Sequence, residues 1–288
     1  MGPETRDDEL ELVMVRHAES IWNAEDRWQG QSDVPLSDKG RDEARTLGGR
    51  LARLELDAIV ASDLSRARET AEAVVAAQRG EGLPASLVAH AGLREMDLGA
   101  WCGMPHAEVI SRFPEEVDAL ARGEDRPIGG HGESLPRFEA RVHTALGEVL
   151  ARARAQHDGA RRVLVVTHGG CIRAVLMRLF ALQGRRRPLE GAGNTSITTF
   201  RVRGDAIRAL VSYNDATHLP STRSHEGLAS APRDPNDRES LVGEAGRTRV
   251  MELLGVRDPS LLAAPPDDAT TLVMPASRRL VRYAVRAR

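Results

Sequence analysis

Short apolar runs that alternate with helix-like segments are the feature that most limits what this 288-residue chain can fold into. Short continuous apolar runs are typical of strands buried on both faces of a parallel sheet. The runs cover residues 10–16, 58–61, 87–89 and 163–167, and the helix-like segments cover 37–54, 63–78 and 134–155. The alternation predicts an α/β fold with a layered architecture and a mostly parallel central sheet.

Each helix-like segment begins at a residue that is able to cap a helix. Ser37, Asp63 and Ser134 carry side-chain oxygens that can accept hydrogen bonds from the first free backbone N–H groups. Segments 195–202 and 206–213 flank a Gly-Asp turn and predict a β-hairpin. We therefore expect the sheet to end in a mixed edge.

The character of the chain changes after about residue 214, where six prolines between 220 and 266 interrupt it. We divide the chain into an N-terminal tail at 1–9, a main domain at 10–219 and a C-terminal extension at 220–288. The extension holds an amphipathic segment at 238–254 and a strand-like segment at 271–274. We expect it to pack on the main domain or on a partner subunit, as in a homodimer. An anionic partner for its arginine-rich end is the alternative.

The charge balance bears on which partners fit the chain. It has 40 basic and 42 acidic residues, a formal net charge of -2, and only 3% aromatic residues. Nucleic-acid binders are usually basic and stack bases on aromatic side chains, so we expect no nucleic-acid partner. No apolar run approaches the roughly 20 residues that cross a bilayer, so we expect no membrane partner. An acidic N-terminus unlike a signal peptide and only two cysteines favour the cytoplasm.

Two histidines directly follow predicted strands. His17 comes after Arg16 at the end of the first run, and His168 follows the run at 163–167 and precedes Gly169 and Gly170. Open α/β sheets bind ligands at the carboxyl edge of their parallel strands. Glycines at the start of a helix let backbone N–H groups approach an anion. This pattern predicts an anion-binding site that contains both histidines.

Seven ordered segments carry a resemblance to a known family. They are VMVRHAESIWN at 13–23, RWQGQSDVPLSDKG at 27–40, ASDLSRARETA at 61–71, LREMDLGAWCG at 93–103, GES at 132–134, VVTHGG at 165–170 and YNDATHL at 213–219. Together they resemble the histidine phosphatase superfamily, also called phosphoglycerate mutase-like. The resemblance covers the domain at 10–219 and implies that it is a catalytic domain, with a three-layer sandwich around the parallel sheet and the handling of phosphate esters.

The resemblance also implies roles for individual residues. His17 would attack phosphorus through a ring nitrogen and form a phosphohistidine, with a backbone carbonyl as its expected orienting partner. Glu95 would protonate the leaving alkoxide and then accept a proton from the attacking water. The implied phosphate ligands are Arg16, Arg66, His168, Asn23 and the backbone N–H of Gly169.

Other positions are expected to contact the rest of the substrate. The resemblance places Gln29 and Gly30 there, and Ser32 and His131 are weaker candidates for the same mouth. Loops near Gln29, Trp101, Pro105 and 129–133 are expected to select the substrate. His106 matches no motif and receives no role. No cluster has metal-ligand spacing, and the arginines supply positive charge, so we expect neither a metal nor a cofactor.

The reaction is expected to be hydrolysis of a small phosphomonoester. The resemblance associates cofactor-dependent mutases with a tyrosine-bearing segment after the catalytic Glu and a longer insertion before the second histidine. Here the segment reads LGAW at 98–101, and 73 positions separate Glu95 from His168. Mutase-type phosphotransfer and a non-catalytic phosphate-binding module remain as alternatives. The physiological substrate is left open.

Overall fold

A six-stranded mixed sheet forms the centre of the computed structural model, which describes residues 9–78, 87–122, 124–156, 159–182 and 191–220. The strands are β1 (Glu9–Arg16), β2 (Ala58–Ala61), β3 (Leu87–Ala89), β4 (Arg162–Thr167), β5 (Ile197–Arg203) and β6 (Ala206–Asp215). Their order is β3-β2-β4-β1-β5-β6. The first four strands of this order pair in parallel, whereas β5 is antiparallel to both β1 and β6. The predicted hairpin is therefore the antiparallel edge.

Seven α-helices accompany the sheet in the described part of the chain. They are α1 (Ile21–Ala24), α2 (Asp38–Leu51), α3 (Ser65–Ala77), α4 (His106–Arg112), α5 (Pro114–Ala121), α6 (Leu135–Gln156) and α7 (Gly169–Leu182). Alternate residues of each strand face opposite sides of the sheet. Leu12 and Met14 of β1 therefore join a core with α6 and α7, and Val13 and Val15 join a core with α2 and α3. This burial on both faces confirms the predicted three-layer α/β fold.

The predicted helix starts have different outcomes. Ser37 caps α2, since its Oγ accepts a hydrogen bond from the N–H of Gly40 at 3.0 Å. The prediction for Asp63 is wrong, because α3 begins at Ser65 after Leu64 and has no side-chain cap. The Asp63 carboxylate instead accepts hydrogen bonds of 2.6 and 2.7 Å from Arg94. A charged partner distant in sequence thus competes with the local cap.

Several expectations concern residues beyond this description. The amphipathic segment at 238–254 and the strand-like segment at 271–274 lie outside the described residues. At the other end, β1 begins at Glu9, one residue before the expected start of the catalytic domain. Among the described residues, no helix has the length and apolar character needed to cross a membrane.

Strand pairing places the two histidines at one sheet edge. β1 and β4 are parallel neighbours, and Arg16 lies opposite Thr167 in their register. His17 and His168 are therefore the first residues beyond two adjacent strands that point the same way. The backbone N–H of His17 donates to the Thr167 carbonyl at 2.8 Å, which ties the two strand ends together.

The N-terminus of α2 rests on the backbone of the loop that follows β1. The N–H of Ser37 donates to the Glu19 carbonyl at 2.9 Å, and the Ser37 hydroxyl donates to the Glu19 carboxylate at 2.8 Å. A β-carbon on Gly40 would lie 1.9 Å from the Glu19 carbonyl oxygen. The close approach of α2 to the loop therefore requires glycine at this position.

We expect Gly40→Ala to destabilise the fold, because the added methyl group would push α2 away from the loop that bears His17. Overpacking of this kind typically costs about 1–3 kcal/mol. Chemical denaturation followed by circular dichroism measures the change in the free energy of unfolding.

Gly49→Ala in the same helix is the matched control. A β-carbon on Gly49 meets nothing within 4 Å. Alanine is favoured over glycine inside a helix by up to about 1 kcal/mol, so this variant should be neutral or more stable. Equal stability of the Gly40 and Gly49 variants would show that the close approach is unimportant.

Candidate active site

The His17 ring is buried at the end of β1, with only 3% of the residue exposed. Its Nδ1 lies 2.7 Å from the carbonyl oxygen of Ala18. A carbonyl only accepts, so Nδ1 carries the hydrogen and Nε2 keeps its lone pair. Burial lowers the pKa of His17 well below 6.5, and the charges of Arg66 and Arg16 lower it further. The ring is therefore neutral at pH 7, with Nε2 able to act as a nucleophile.

Arg66 brings a fully buried positive charge to the same place. Its Nη1 donates to the Ser32 carbonyl at 2.7 Å, and its Nη2 donates to the Gly30 carbonyl at 2.8 Å. Among the described residues, no hydrogen-bond partner meets its Nε. Burial lowers the pKa of Arg66 to about 10, which keeps the guanidinium protonated at pH 7. The two carbonyls orient this charge without neutralising it.

Arg16 and Asn23 lie beside His17 on the wall of the cavity. The Nη1 of Arg16 donates to the Ala192 carbonyl at 2.6 Å. The Oδ1 of Asn23 accepts from the N–H of Ser20 at 3.2 Å and from the amide of Asn194 at 3.4 Å. Because the Asn23 oxygen is occupied, its NH2 group is the part that can donate to a ligand.

His168 packs edge-on against His17, with 5.1 Å between ring centroids. It is fully buried, and its Nε2 lies 2.9 Å from the Ser62 hydroxyl. Within the described part of the chain, its Nδ1 has no hydrogen-bond partner. Burial, followed by the charge of Arg66, lowers the pKa of His168 well below 6.5. His168 is thus a second neutral imidazole beside the first.

Backbone N–H groups hold the Glu95 carboxyl. Its Oε1 accepts from the N–H of Met96 at 2.9 Å, and its Oε2 accepts from the N–H of Gly170 at 3.0 Å. A β-carbon on Gly170 would lie 2.1 Å from Oε1. On Gly169 it would lie 3.7 Å from the Arg16 side chain, which is an ordinary contact. The two glycines therefore differ, and Gly170 is the one that the carboxyl requires.

An ion pair between Arg141 and Glu133 holds the backbone around Glu95. Arg141 of α6 binds the Glu133 carboxylate through two hydrogen bonds of 2.6 and 2.7 Å. Its guanidinium also donates to the carbonyls of Gly92, Arg94 and Glu95 at 2.9, 3.0 and 3.1 Å. A single side chain thus fixes three carbonyls around the acid.

The cavity at this edge has a volume of about 170 Å³. Its charged lining residues are four arginines and two glutamates, namely Arg16, Arg27, Arg66, Arg173, Glu95 and Glu139. Leu135 and Phe138 of α6 and Met177 of α7 form apolar parts of its wall. The excess of arginine favours an anion, and the apolar side chains line the space around it.

The other predicted substrate contacts are divided between the cavity and its surroundings. Gln29 and Gly30 line the cavity, and Ser32 acts through its carbonyl on Arg66. His131 is exposed and is not part of the lining. Trp101 is fully buried in the core and is not part of the cavity lining. His106, for which the sequence predicts no role, lines the cavity.

Several residues that hold the site in place are not predicted from the sequence. Ser62 holds His168, and Asn194 donates to the His17 carbonyl at 3.1 Å. Arg141 of α6 donates to the Glu95 carbonyl at 3.1 Å. Ser62 lies inside a segment that carries the family resemblance, so it offered a signal. Asn194 and Arg141 offered none, because their partners are far away in the sequence. Among the described residues, no group of three or more His, Cys, Asp or Glu side chains could hold a metal ion.

The fold and the site define a class of α/β proteins with a neutral histidine and arginines at the carboxyl edge of the sheet. Residues 12–216 match the family model of the histidine phosphatase superfamily (branch 1). The chain belongs to this superfamily. The match begins within β1, runs to the end of β6 and includes His17, Arg66, Glu95 and His168.

Relatives and solved structures carry names of two kinds. Phosphoglycerate mutase-like protein 4 of Arabidopsis thaliana is 36% identical over 217 residues, which are 75% of this chain and 89% of that protein. Probable phosphoglycerate mutase GpmB of Klebsiella pneumoniae is 36% identical over 188 residues, which are 63% of this chain and 81% of that protein. A mycobacterial glucosyl-3-phosphoglycerate phosphatase, solved with VO3, is 31% identical with a TM-score of 0.58, and the match covers 70% of this chain and 97% of that one.

The buried neutral histidines predict a loss of stability in mild acid. Unfolding exposes His17 and His168, whose pKa values then return to about 6.5. Below that pH the unfolded chain binds more protons than the folded chain, so the free energy of unfolding falls. Each histidine contributes at most about 1.4 kcal/mol per pH unit. Urea denaturation at pH 7 and at pH 5 measures the decline.

His17→Gln removes one of these groups and should reduce the decline by up to about 2 kcal/mol between the two pH values. His131→Gln alters an exposed histidine outside the cavity and should leave the decline as it is. If the His17 variant lost as much stability in acid as the native chain, a neutral buried His17 would be refuted.

Proposed function

We propose that the chain is a phosphomonoester hydrolase that acts on a small phosphorylated metabolite through a phosphohistidine on His17. The observation that carries this proposal is the state of His17. Its Nδ1 is fixed by the Ala18 carbonyl, and its ring is neutral. The ring lines a cavity that the buried Arg66 and the half-buried Arg16 also line. A nucleophile can approach a phosphate dianion only where positive charge offsets the repulsion.

In the first half-reaction, Nε2 of His17 attacks phosphorus, and the bond between phosphorus and the ester oxygen breaks. Arg16 and Arg66 stabilise the charge on the three equatorial oxygens in the transition state. We assign the same task to His168, whose ring packs against that of His17. The Asn23 amide and the N–H of Gly169, the first residue of α7, add neutral donors.

Glu95 supplies the proton for the leaving group. Its carboxylic acid protonates the departing alkoxide, and the alcohol leaves. In the second half-reaction, water attacks phosphorus, the bond from phosphorus to Nε2 breaks, and the Glu95 carboxylate accepts the proton of the water. Inorganic phosphate departs, and both His17 and Glu95 return to their starting states. The N–H groups of Met96 and Gly170 hold the carboxyl for both steps.

Hydrolysis is favoured over phosphotransfer by the short chain between Glu95 and His168, which spans 73 positions. A mutase must protect its phosphohistidine from water until the next acceptor binds. The mycobacterial glucosyl-3-phosphoglycerate phosphatase, which matches over 70% of this chain, supports hydrolysis. The names of the Arabidopsis and Klebsiella relatives favour phosphoglycerate mutase-type transfer as the second candidate.

We expect phosphate release from a panel of phosphomonoesters in the presence of EDTA, and we expect His17→Ala to abolish it. The variant removes the nucleophile and leaves the surrounding arginines in place. Release of inorganic phosphate is measured by molybdate colorimetry, and circular dichroism confirms that the variant is folded.

His131→Ala is the control and should retain turnover, because this exposed histidine is not part of the cavity lining. Turnover that persists in the His17 variant would contradict the mechanism. If no ester released phosphate, while 3-phosphoglycerate was converted to its isomer with 2,3-bisphosphoglycerate present, the mutase candidate would replace the hydrolase.

We expect Glu95→Gln and Gly170→Ala to slow the hydrolysis of alkyl phosphates far more than that of p-nitrophenyl phosphate. An alkoxide needs the proton, whereas nitrophenolate leaves without it, and general acid catalysis is typically worth about 10²- to 10⁴-fold. The measurement is kcat/KM, which reports the steps up to loss of the alcohol.

Gly169→Ala is the matched control for Gly170→Ala, since its β-carbon would make only an ordinary contact with Arg16. It should preserve the ratio between the two classes of ester. Equal loss for both classes in the Glu95 variant would exclude Glu95 as the proton donor.

A further inference from the structure

His106 is a titratable residue in the cavity that the proposed chemistry does not use. It is the first residue of α4, and 23% of its side chain is exposed. Its Nδ1 lies 2.8 Å from Oδ1 of Asp26, and its ring contacts Trp28 edge-on at a centroid distance of 4.3 Å. Two contacts therefore fix the orientation of an imidazole that lines the substrate space.

The Asp26 carboxylate sets which ring nitrogen carries the hydrogen. A carboxylate only accepts hydrogen bonds, so Nδ1 of His106 is the protonated nitrogen in the neutral ring. The remaining nitrogen, Nε2, is then an acceptor. Burial and the charge of Arg16 lower the pKa of His106, and together they outweigh the opposite effect of Asp26, so the ring is neutral at pH 7. An acceptor pairs with a hydroxyl group and not with a carboxylate.

His106 lines the same cavity as Arg16, one of the proposed phosphate ligands. The charge of Arg16 contributes to the lowered pKa of His106, so the two side chains are within electrostatic reach of each other. The neighbouring cation, Arg27, already binds the Glu25 carboxylate and the Gly103 carbonyl, both at 2.8 Å. Because these contacts engage Arg27, its positive charge attracts an anionic group of the substrate other than the phosphate less strongly.

We propose that His106, held by Asp26 and Trp28, is a specificity-determining residue whose Nε2 accepts a hydrogen bond from a hydroxyl on the alcohol part of the substrate. The substrate class is thus a phosphate monoester of a polyhydroxy alcohol. This inference rests on the proposed function of the same cavity. It assigns no part of the phosphoryl chemistry to His106.

The test compares glycerol 1-phosphate with n-propyl phosphate, which lacks the two free hydroxyl groups. We expect His106→Phe to lower the ratio of their kcat/KM values by about threefold to tenfold, the range for one lost hydrogen bond. Phenylalanine preserves a ring against Trp28 and removes the acceptor. The difference in leaving-group chemistry cancels, because the same two esters are compared in each variant.

Asp26→Gly provides a second variant that acts on the tautomer. Asp26 has a φ of 55°, which glycine adopts freely, and 81% of its side chain is exposed. The ratio should fall in this variant too, by less than in His106→Phe. His131→Gln, outside the cavity lining, should leave the ratio unchanged.

Phosphoglycolate carries a carboxylate and no hydroxyl, so its kcat/KM relative to propyl phosphate should not change in His106→Phe. The proposal is overturned if the glycerol phosphate ratio stays constant in His106→Phe, or if only the phosphoglycolate ratio changes. If the native chain released no phosphate from any ester, the proposed function would fail separately. Dissociation constants of the same three esters, measured by calorimetry, would then test the role of His106. A threefold to tenfold loss of glycerol 1-phosphate affinity relative to n-propyl phosphate in His106→Phe would support the proposal, and an unchanged ratio would overturn it.

Discussion

The rest of the site depends on the buried positive charge of Arg66 and on the contacts that hold it. A buried cation without an ionic partner costs several kcal/mol. In the described part of the chain, Arg66 meets the carbonyls of Ser32 and Gly30, which orient it without neutralising it. Its charge also helps to keep His17 and His168 neutral. In the proposed reaction, a phosphate would add negative charge beside Arg66 and meet Nε2 of His17 in the same cavity.

The acid of the site is held by a different set of contacts. Backbone N–H groups of Met96 and Gly170 fix the Glu95 carboxyl, and Arg141 fixes the Glu95 carbonyl through a network anchored on Glu133. Burial raises the pKa of Glu133, but the hydrogen bonds and charge of Arg141, the N–H of Asp97 and the charge of Arg137 together lower it by more, so the net pKa is lowered. The proposed proton donor, Glu95, is thus held by contacts from α6 and α7, whereas the proposed nucleophile, His17, is held at the end of β1. The two can be disturbed separately.

The sequence was informative where the relevant contacts are local. Apolar runs located the strands, and the two histidines at strand ends lie side by side because β1 and β4 are parallel neighbours. Long-range polar contacts were not predictable: Asp63 binds Arg94 instead of capping α3, and Asn194 reaches His17 across 177 positions. The core position of Trp101 was also not predictable, because the pattern of residues around it does not show which side chains are buried.

The cavity has two parts that are built from different groups. At the end that contains His17, the carbonyls of Ala18 and Gly30 and the N–H of Gly170 fix the side chains of His17, Arg66 and Glu95. At the outer end, side chains of α4, α6 and α7 form the wall. Side chains change by single substitutions, whereas backbone positions depend on the fold. If the proposed function holds, the choice of alcohol depends on side chains such as His106, and it can change while the phosphoryl chemistry stays the same.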